Sequence, residues 1–243
     1  MKIKIAILGS TGSIGKSTLE IIKRNKSKFN VELLMAQNNF KALINQAKIF
    51  RAANVLIVNK KYYARIKKAL STTKTKVFFG DKPINTIITK KIDYTMSAIV
   101  GIAGLKPTVE AIKCSKKIAI ANKEAIICGW HILSKYIKKY KTEVLPVDSE
   151  HFSIMELSNK LNNNDIEEII LTASGGPFFK TPLTKLKYVK PIQATKHPNW
   201  KMGKKISVDS ATLMNKVFEI IEASKLFKFN ISKYRILIHP QSY

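Results

Sequence analysis

Lys2-Ile3-Lys4-Ile5-Ala6-Ile7-Leu8-Gly9-Ser10-Thr11-Gly12-Ser13-Ile14-Gly15-Lys16 opens the chain, and its reading decides the fold of the first domain. Lys2 to Leu8 is a compact apolar run of strand length. It leads directly into glycines at every third position, Gly9, Gly12 and Gly15. Ser13 to Arg24 then carries Ile14, Leu19 and Ile22 on one stripe at helical spacing. A strand, a glycine turn and an amphipathic helix in that order are the context of a dinucleotide-binding loop. There the backbone turns sharply, approaches a pyrophosphate and points amides at it from a helix start. The alternative for the same residues is a glycine-rich turn that holds nothing.

The rhythm continues outward. Strands are expected at Val31–Ala36, Val55–Val58, Val77–Phe79, Ser97–Val100 and Ile118–Ala121. Helices are expected at Phe40–Phe50, Tyr62–Leu70, Pro107–Lys113 and Asn122–Tyr140, with Pro107 in a first turn where proline is tolerated. Alternation of this kind predicts a parallel sheet covered on both faces. After the strand Glu143–Val147 the pattern changes. A strand at Ile166–Leu171 opens onto the loop Ser174-Gly175-Gly176-Pro177, and Phe178 to Val208 shows little periodicity. The domain boundary is placed near Asp148.

Composition narrows the class. Of 243 residues 45% are apolar, so the chain is globular, and no apolar run is long enough to span a membrane. Met1 runs almost at once into a strand, which leaves no room for a signal segment, and the cytoplasm is the expected compartment. Cys114 and Cys128 are too few for a disulfide framework and read as reduced thiols. The net charge of +27 comes from lysines spread along the whole chain. It is read as compositional bias, and with no RNA-binding, zinc-finger or helix-turn-helix signature, nucleic acid is not expected as the partner.

Three further stretches carry chemistry. In Ala36-Gln37-Asn38-Asn39, after the second strand, there is no acid to hold a ribose 2′-hydroxyl, and Lys41 is close by; this favours NADP, although Gln37 and Asn38 also read as a plain polar turn. Asp148-Ser149-Glu150 follows a strand. If the backbone stays extended, both carboxylates project to one side and suit a magnesium or manganese ion; a solvated acidic turn is the alternative. From Asp209 to Glu219, Ser210 reads as the N-cap of a helix running to about Phe227, with Asn215, Lys216 and Glu219 on one face. Lys216 with Glu219 is either an ordinary surface pair or part of a phosphate and metal site. His197-Pro198-Asn199-Trp200-Lys201-Met202-Gly203 places a tryptophan in a polar loop, as a lid residue or as a loop anchor.

Together, Gly-Ser-Thr-Gly-Ser-Ile-Gly from Gly9, Ala-Asn-Lys-Glu from Ala121, Pro-Val-Asp-Ser-Glu-His from Pro146, Ser-Gly-Gly-Pro-Phe from Ser174, His-Pro-Asn-Trp from His197 and Ser-Val-Asp-Ser-Ala-Thr from Ser207 through Asn-Lys to Glu219 resemble the 1-deoxy-D-xylulose 5-phosphate reductoisomerases. The resemblance implies an α/β protein: a Rossmann-like, NADPH-binding domain over residues 1–148, then an α/β catalytic domain over 149–243. It implies isomerisation of 1-deoxy-D-xylulose 5-phosphate and reduction to 2-C-methyl-D-erythritol 4-phosphate in isoprenoid biosynthesis. NADPH would bind at Thr11, Gly12, Ser13, Ile14, Gln37, Asn38, Asn39, Asn122, Glu124 and Gly203. Asp148, Glu150 and Glu219 would hold magnesium or manganese, with cobalt a further candidate. Ser174, Ser210, Asn215 and Lys216 would bind the sugar phosphate's phosphoryl group, Lys123 and Ser149 its backbone, and His197 and Trp200 would belong to a flap. The catalytic set would be Lys123, Asp148, Glu150, His197 and Glu219. The family's pattern continues past Tyr243, so the second domain is expected to be incomplete and the family's homodimer weakened. A nucleotide-binding remnant without turnover and another two-domain NADP dehydrogenase are the competing readings.

Overall fold

A computed structural model describes residues 1–197 and 203–239. The chain divides into two compact units, Met1–Asp148 and Ser149–Tyr243. Among the described residues no helix is long and apolar enough to cross a membrane.

In the first unit, β1 (Ile3–Leu8), α1 (Ser13–Arg24), β2 (Phe29–Ala36), α2 (Phe40–Phe50), β3 (Asn54–Ile57), α3 (Tyr63–Ala69) and β4 (Lys76–Phe79) build one half of a sheet. After α4 (Ile84–Ile87) come β5 (Ile92–Ser97), α5 (Leu105–Cys114), β6 (Ser115–Ile120), α6 (Lys123–Tyr140) and β7 (Glu143–Pro146), which build the other. The strand order is β4-β3-β2-β1-β5-β6-β7, every pair parallel. Strand order therefore reverses between β1 and β5, the kind of switch point beyond whose carboxyl ends such sheets take ligands. Ile5–Leu8 and Leu33–Ala36 are buried without alternation, as strands covered on both faces must be. Leu19 and Ile22 of α1 and Leu43 and Ala47 of α2 turn their stripe onto this core. Each fully buried Leu or Ile contributes ~1.5–3 kcal/mol relative to exposure.

Most strands begin or end within a few residues of expectation, β8 running over Ile169–Ala173 rather than Ile166–Leu171, and two departures have a clear cause. The strand expected at Ser97–Val100 lies instead at Ile92–Ser97 and shares only Ser97 with the expectation, because Gly101 takes a φ of +75° and turns the chain into a short 3-10 turn, leaving Val100 78% exposed. The last sheet strand but one begins early, at Ser115, where the Ser115 hydroxyl hydrogen-bonds Thr95 at 2.7 Å in the core.

The second unit contains α7 (Ser149–Ser158), β8 (Ile169–Ala173), α8 (Leu183–Leu186), α9 (Pro191–Ala194), α10 (Lys204–Ala211), α11 (Met214–Phe227) and β9 (Tyr234–Ile238). β8 and β9 pair in parallel, Leu171 opposite Ile236. Ile154, Leu171, Ala223, Phe229 and Tyr234 form its core.

Two readings are corrected here. The backbone at Asp148–Glu150 does not stay extended: β7 ends at Pro146 and Ser149 opens α7. Pro146 has no N–H to give a ladder, and Glu150 gains from the positive end of the helix it enters. Ser210 is not an N-cap. It lies at the end of α10, where the Thr212 hydroxyl turns back to donate to the carbonyls of Val208 and Asp209 at 3.0 and 3.2 Å. Leu213, at φ +59°, breaks the run before α11 begins.

Candidate active site

The glycine loop after β1 sits at the switch point of the first unit. The amides of Gly9 and Ser10 both donate to the Met35 carbonyl, at 3.0 and 2.9 Å, and Gly12 donates to the Gly9 carbonyl at 3.0 Å. Gly9 holds a φ of +83°, and a Cβ there would lie 2.5 Å from the Ala98 carbonyl oxygen. At Gly15 a Cβ would lie 2.4 Å from the Gly9 carbonyl oxygen. Both are backbone collisions, so the close wrap needs glycine. Gly12 is the N-cap of α1 and no side chain caps it. The first amides of a helix have no intrahelical acceptor, which leaves those beside the exposed Ser13 and Ile14 available to an anion. Ser10, fully buried, donates to Gln46 Oε1 at 2.8 Å and accepts from Gln46 Nε2 on its carbonyl at 2.9 Å, bracing the loop against α2.

Gln37, Asn38 and Asn39 are exposed at the end of β2. Asn39 accepts from the Ala42 amide at 3.1 Å and so caps α2. Asn122 is 1% exposed. It donates to the carbonyls of Ile99 and Gly101 and accepts from the Ala125 amide, so its side chain fixes the loop after β5 and caps α6. Glu124 lies in the first turn of that helix. Lys123 pairs with Asp148 at 3.2 Å, both mostly buried, at the end of the first unit.

In the second unit, α7 and α11 bring Glu150, Lys216 and Glu219 together. Lys216 Nζ contacts Glu150 Oε1 and lies 2.7 Å from Glu219 Oε2, while Asn215 Nδ2 donates to Glu219 Oε1. Glu219 is 1% exposed and Lys216 7%. Carboxylate oxygens of Glu150 and Glu219 lie within 4.8 Å of each other. Burial opposes the charge on Lys216, but Glu219 and Glu150 together outweigh it and raise its pKa. The site is one that favours a cation. Ser149 donates to Glu150 Oε2 at 2.7 Å.

Ser174 Oγ hydrogen-bonds His197 Nε2 at 3.0 Å, and burial lowers the His197 pKa. Gly176, at φ +69°, packs so closely that a Cβ would be 2.6 Å from the Ser210 carbonyl oxygen. The Ser174 loop thus lies against the end of α10 that carries Ser210. Gly203 is exposed and is the N-cap residue of α10. Trp200 lies outside the described residues.

Sequence reading missed two residues. His151 is fully buried, with Nε2 2.9 Å from the Glu219 carbonyl oxygen and Nδ1 3.6 Å from Glu222 Oε2. This pair ties α7 to α11 directly behind Glu150 and Glu219. The available signal was helical phase: Glu222 is one turn beyond Glu219, and His151 adjoins Glu150.

The first unit has the doubly wound fold of dinucleotide-binding α/β proteins. Residues 5–129 match the family model for 1-deoxy-D-xylulose 5-phosphate reductoisomerase, and residues 144–227 match that for its C-terminal domain. The chain belongs to the 1-deoxy-D-xylulose 5-phosphate reductoisomerase family. It is 53% identical over 242 residues to the curated reductoisomerase of Pelagibacter ubique (strain HTCC1062), and 46% identical over 242 residues to that of Wolbachia pipientis wMel. The alignments cover 99% and 98% of this chain but 62% and 61% of those relatives. Among solved structures, the Zymomonas mobilis reductoisomerase in complex with NADPH superposes at a TM-score of 0.92 with 40% identity, over 100% of this chain and 62% of that one. A reductoisomerase complexed with NADPH, fosmidomycin and magnesium superposes at 0.87 with 34% identity, over 98% and 61%.

Proposed function

We propose that this chain carries the NADPH- and metal-binding residues of a reductoisomerase that converts 1-deoxy-D-xylulose 5-phosphate to 2-C-methyl-D-erythritol 4-phosphate, an oxidoreductase and isomerase of the non-mevalonate isoprenoid route. The observation that carries this reading is the Glu150–Lys216–Glu219 cluster, in which Lys216 and Glu219 are buried and Glu150 partly so. Two carboxylates around one positive charge are the donor set a hard divalent cation takes. Relatives crystallised with NADPH and magnesium support the same reading.

NADPH fits the first unit because the cradle at Gly9 and Gly15 admits no Cβ. Thr11, Gly12, Ser13 and Ile14 present the pyrophosphate face, Gln37, Asn38 and Asn39 the ribose end, and Asn122, Glu124 and Gly203 the remaining contacts. Asn122 acts by holding the Ile99–Gly101 loop in place, since its side chain is already committed there. Glu150 and Glu219 hold magnesium or manganese with Asp148, which is two residues from Glu150 in the chain. A divalent cation at this position supplies Lewis acidity to the substrate's carbonyl and hydroxyl oxygens. Ser174, Ser210, Asn215 and Lys216 anchor the phosphate, with Lys216 able to leave the carboxylates once another cation satisfies them. Lys123 and Ser149 position the carbon backbone. His197, whose pKa burial lowers, is held by its hydrogen bond to Ser174 beside the phosphate anchor. The same proposal includes a cytoplasmic location and the family's homodimer.

Purified chain mixed with 1-deoxy-D-xylulose 5-phosphate and NADPH should lose NADPH absorbance only with added magnesium or manganese. Glu150→Gln should abolish it. Nucleotide binding without turnover in any metal would refute the catalytic reading, and full activity in Glu150→Gln would refute the ligand assignment.

A further inference from the structure

The turn after β2 supplies neither an acid nor a cation at Gln37-Asn38-Asn39. An NADPH site must still meet a 2′-phosphate that carries nearly two negative charges. The neighbouring turn, after β3, carries positive charge. β3 leaves the sheet alongside β2: the Val58 amide donates to the Ala36 carbonyl at 3.0 Å, and the Asn59 amide to the Gln37 carbonyl at 3.1 Å. The Asn59 side chain then donates to Asn38 Oδ1 at 2.9 Å and accepts from the Lys61 amide at 3.2 Å. The two exit turns are stitched into one surface, and the second one reads Asn59-Lys60-Lys61-Tyr62-Tyr63-Ala64-Arg65.

Tyr62 stacks on Phe40, the first residue of α2, with centroids 4.6 Å apart and planes 17° apart. Lys61 Nζ lies 4.8 Å from the Tyr62 ring centre, and the Arg65 guanidinium carbon 5.7 Å from that of Phe40. Lys61 and Arg65 are four residues apart, so a helical backbone puts them on one face. Both are exposed, and no Asp or Glu occurs between residues 36 and 41 or between 58 and 65. Lys60 is different: its Nζ lies 5.5 Å from the ring of Phe79, on β4, away from the β2 turn.

We propose that Lys61 and Arg65, carried on the turn after β3, form the 2′-phosphate subsite and set the preference for NADPH over NADH. The proposal rests on the nucleotide-binding reading above. It assigns phosphate recognition to the third strand's turn, with Asn38 and Asn59 holding that turn in register. Arg65 offers a planar, bidentate fork to the phosphate oxygens and Lys61 a compact charge.

The test is equilibrium titration of the full chain with NADPH and with NADH, read by nucleotide fluorescence or calorimetry. A charge-assisted hydrogen bond contributes ~1.5 kcal/mol or more, so Lys61→Ala and Arg65→Ala should each raise the NADPH Kd about tenfold, and the NADH Kd by less than about twofold. Lys61→Arg should restore NADPH affinity. Lys60→Ala removes the same charge from the same turn and should change the NADPH Kd by less than about twofold. Unchanged NADPH affinity in both Lys61→Ala and Arg65→Ala overturns the proposal, as does an equal loss in Lys60→Ala, which would mean diffuse attraction only. A wild-type chain that binds neither nucleotide refutes the nucleotide reading itself and this proposal with it. NADPH binding with no turnover, and the expected variant pattern, refutes only the catalytic reading.

Discussion

Lys216→Met tests the central cluster most directly. The substitution keeps the length of the side chain and removes the ammonium that contacts both Glu150 and Glu219. Their oxygens lie within 4.8 Å. At an effective dielectric constant of about 20, two unit charges at that separation repel by ~3 kcal/mol. Glu150 is 26% exposed and Glu219 1%, so water screens one partner only in part. One carboxyl can also take up a proton, which caps the cost. The expected loss is therefore ~1–3 kcal/mol, or about 2–10 °C in Tm for a chain of this size. A divalent cation should then do for the variant what the ammonium does for the wild type. Millimolar manganese or magnesium should raise the Tm of Lys216→Met by more than that of wild type, because the ammonium no longer competes for the carboxylates. Thermal unfolding followed by circular dichroism, with and without metal, measures both effects. A variant as stable as wild type and indifferent to metal would show that the two carboxylates do not form a cation site.

Gly15→Ala sets an ordinary helix-propensity gain of up to ~1 kcal/mol against a backbone overlap at 2.4 Å from the Gly9 oxygen. Overpacking costs ~1–3 kcal/mol, so the variant should be less stable and lose nucleotide affinity; a gain in Tm with intact binding would disprove the tight-wrap argument. His151→Ala should cost ~2–4 kcal/mol in urea unfolding, since it opens a cavity and strips the buried Glu222 of its neighbour at 3.6 Å. Cys128 is exposed and Cys114 buried, so a thiol reagent should titrate one thiol in the folded chain and two after denaturation. Burial pushes the Cys114 thiol from 9.0 up to about 11. A folded pKa above the unfolded one means its stabilising contribution is complete below pH 9.0 and is lost as pH rises toward about 11. Cys114→Ala should flatten that part of the stability curve, and an unchanged slope would rule out the thiol as its source.

Much of the first unit was legible from local sequence. The Gly9–Gly15 repeat, the Leu19 and Ile22 stripe and the alternation of strands and helices rest on near-neighbour physics, and the parallel sheet follows them. The place of β5 at Ile92–Ser97 rather than Ser97–Val100 was not legible, because Val100 and Ile102 are as apolar as core residues yet are exposed around Gly101. The second unit was harder. A period-two reading of Asp148 and Glu150 failed because a helix starts at Ser149, and a single helix from Ser210 failed because Leu213 is left-handed.

Local pattern therefore determined which residue types recur at which spacing, and with them the family, the glycine loop and the acidic pair. Tertiary structure alone decided that Lys216 lies between Glu150 and Glu219, that buried His151 ties α7 to α11, and that the β3 turn is fastened to the β2 turn through Asn59 and Asn38. These contacts join residues far apart in the chain. Their energies depend on burial and on charges that only packing brings within a few ångströms, and no periodicity in the sequence encodes such distances.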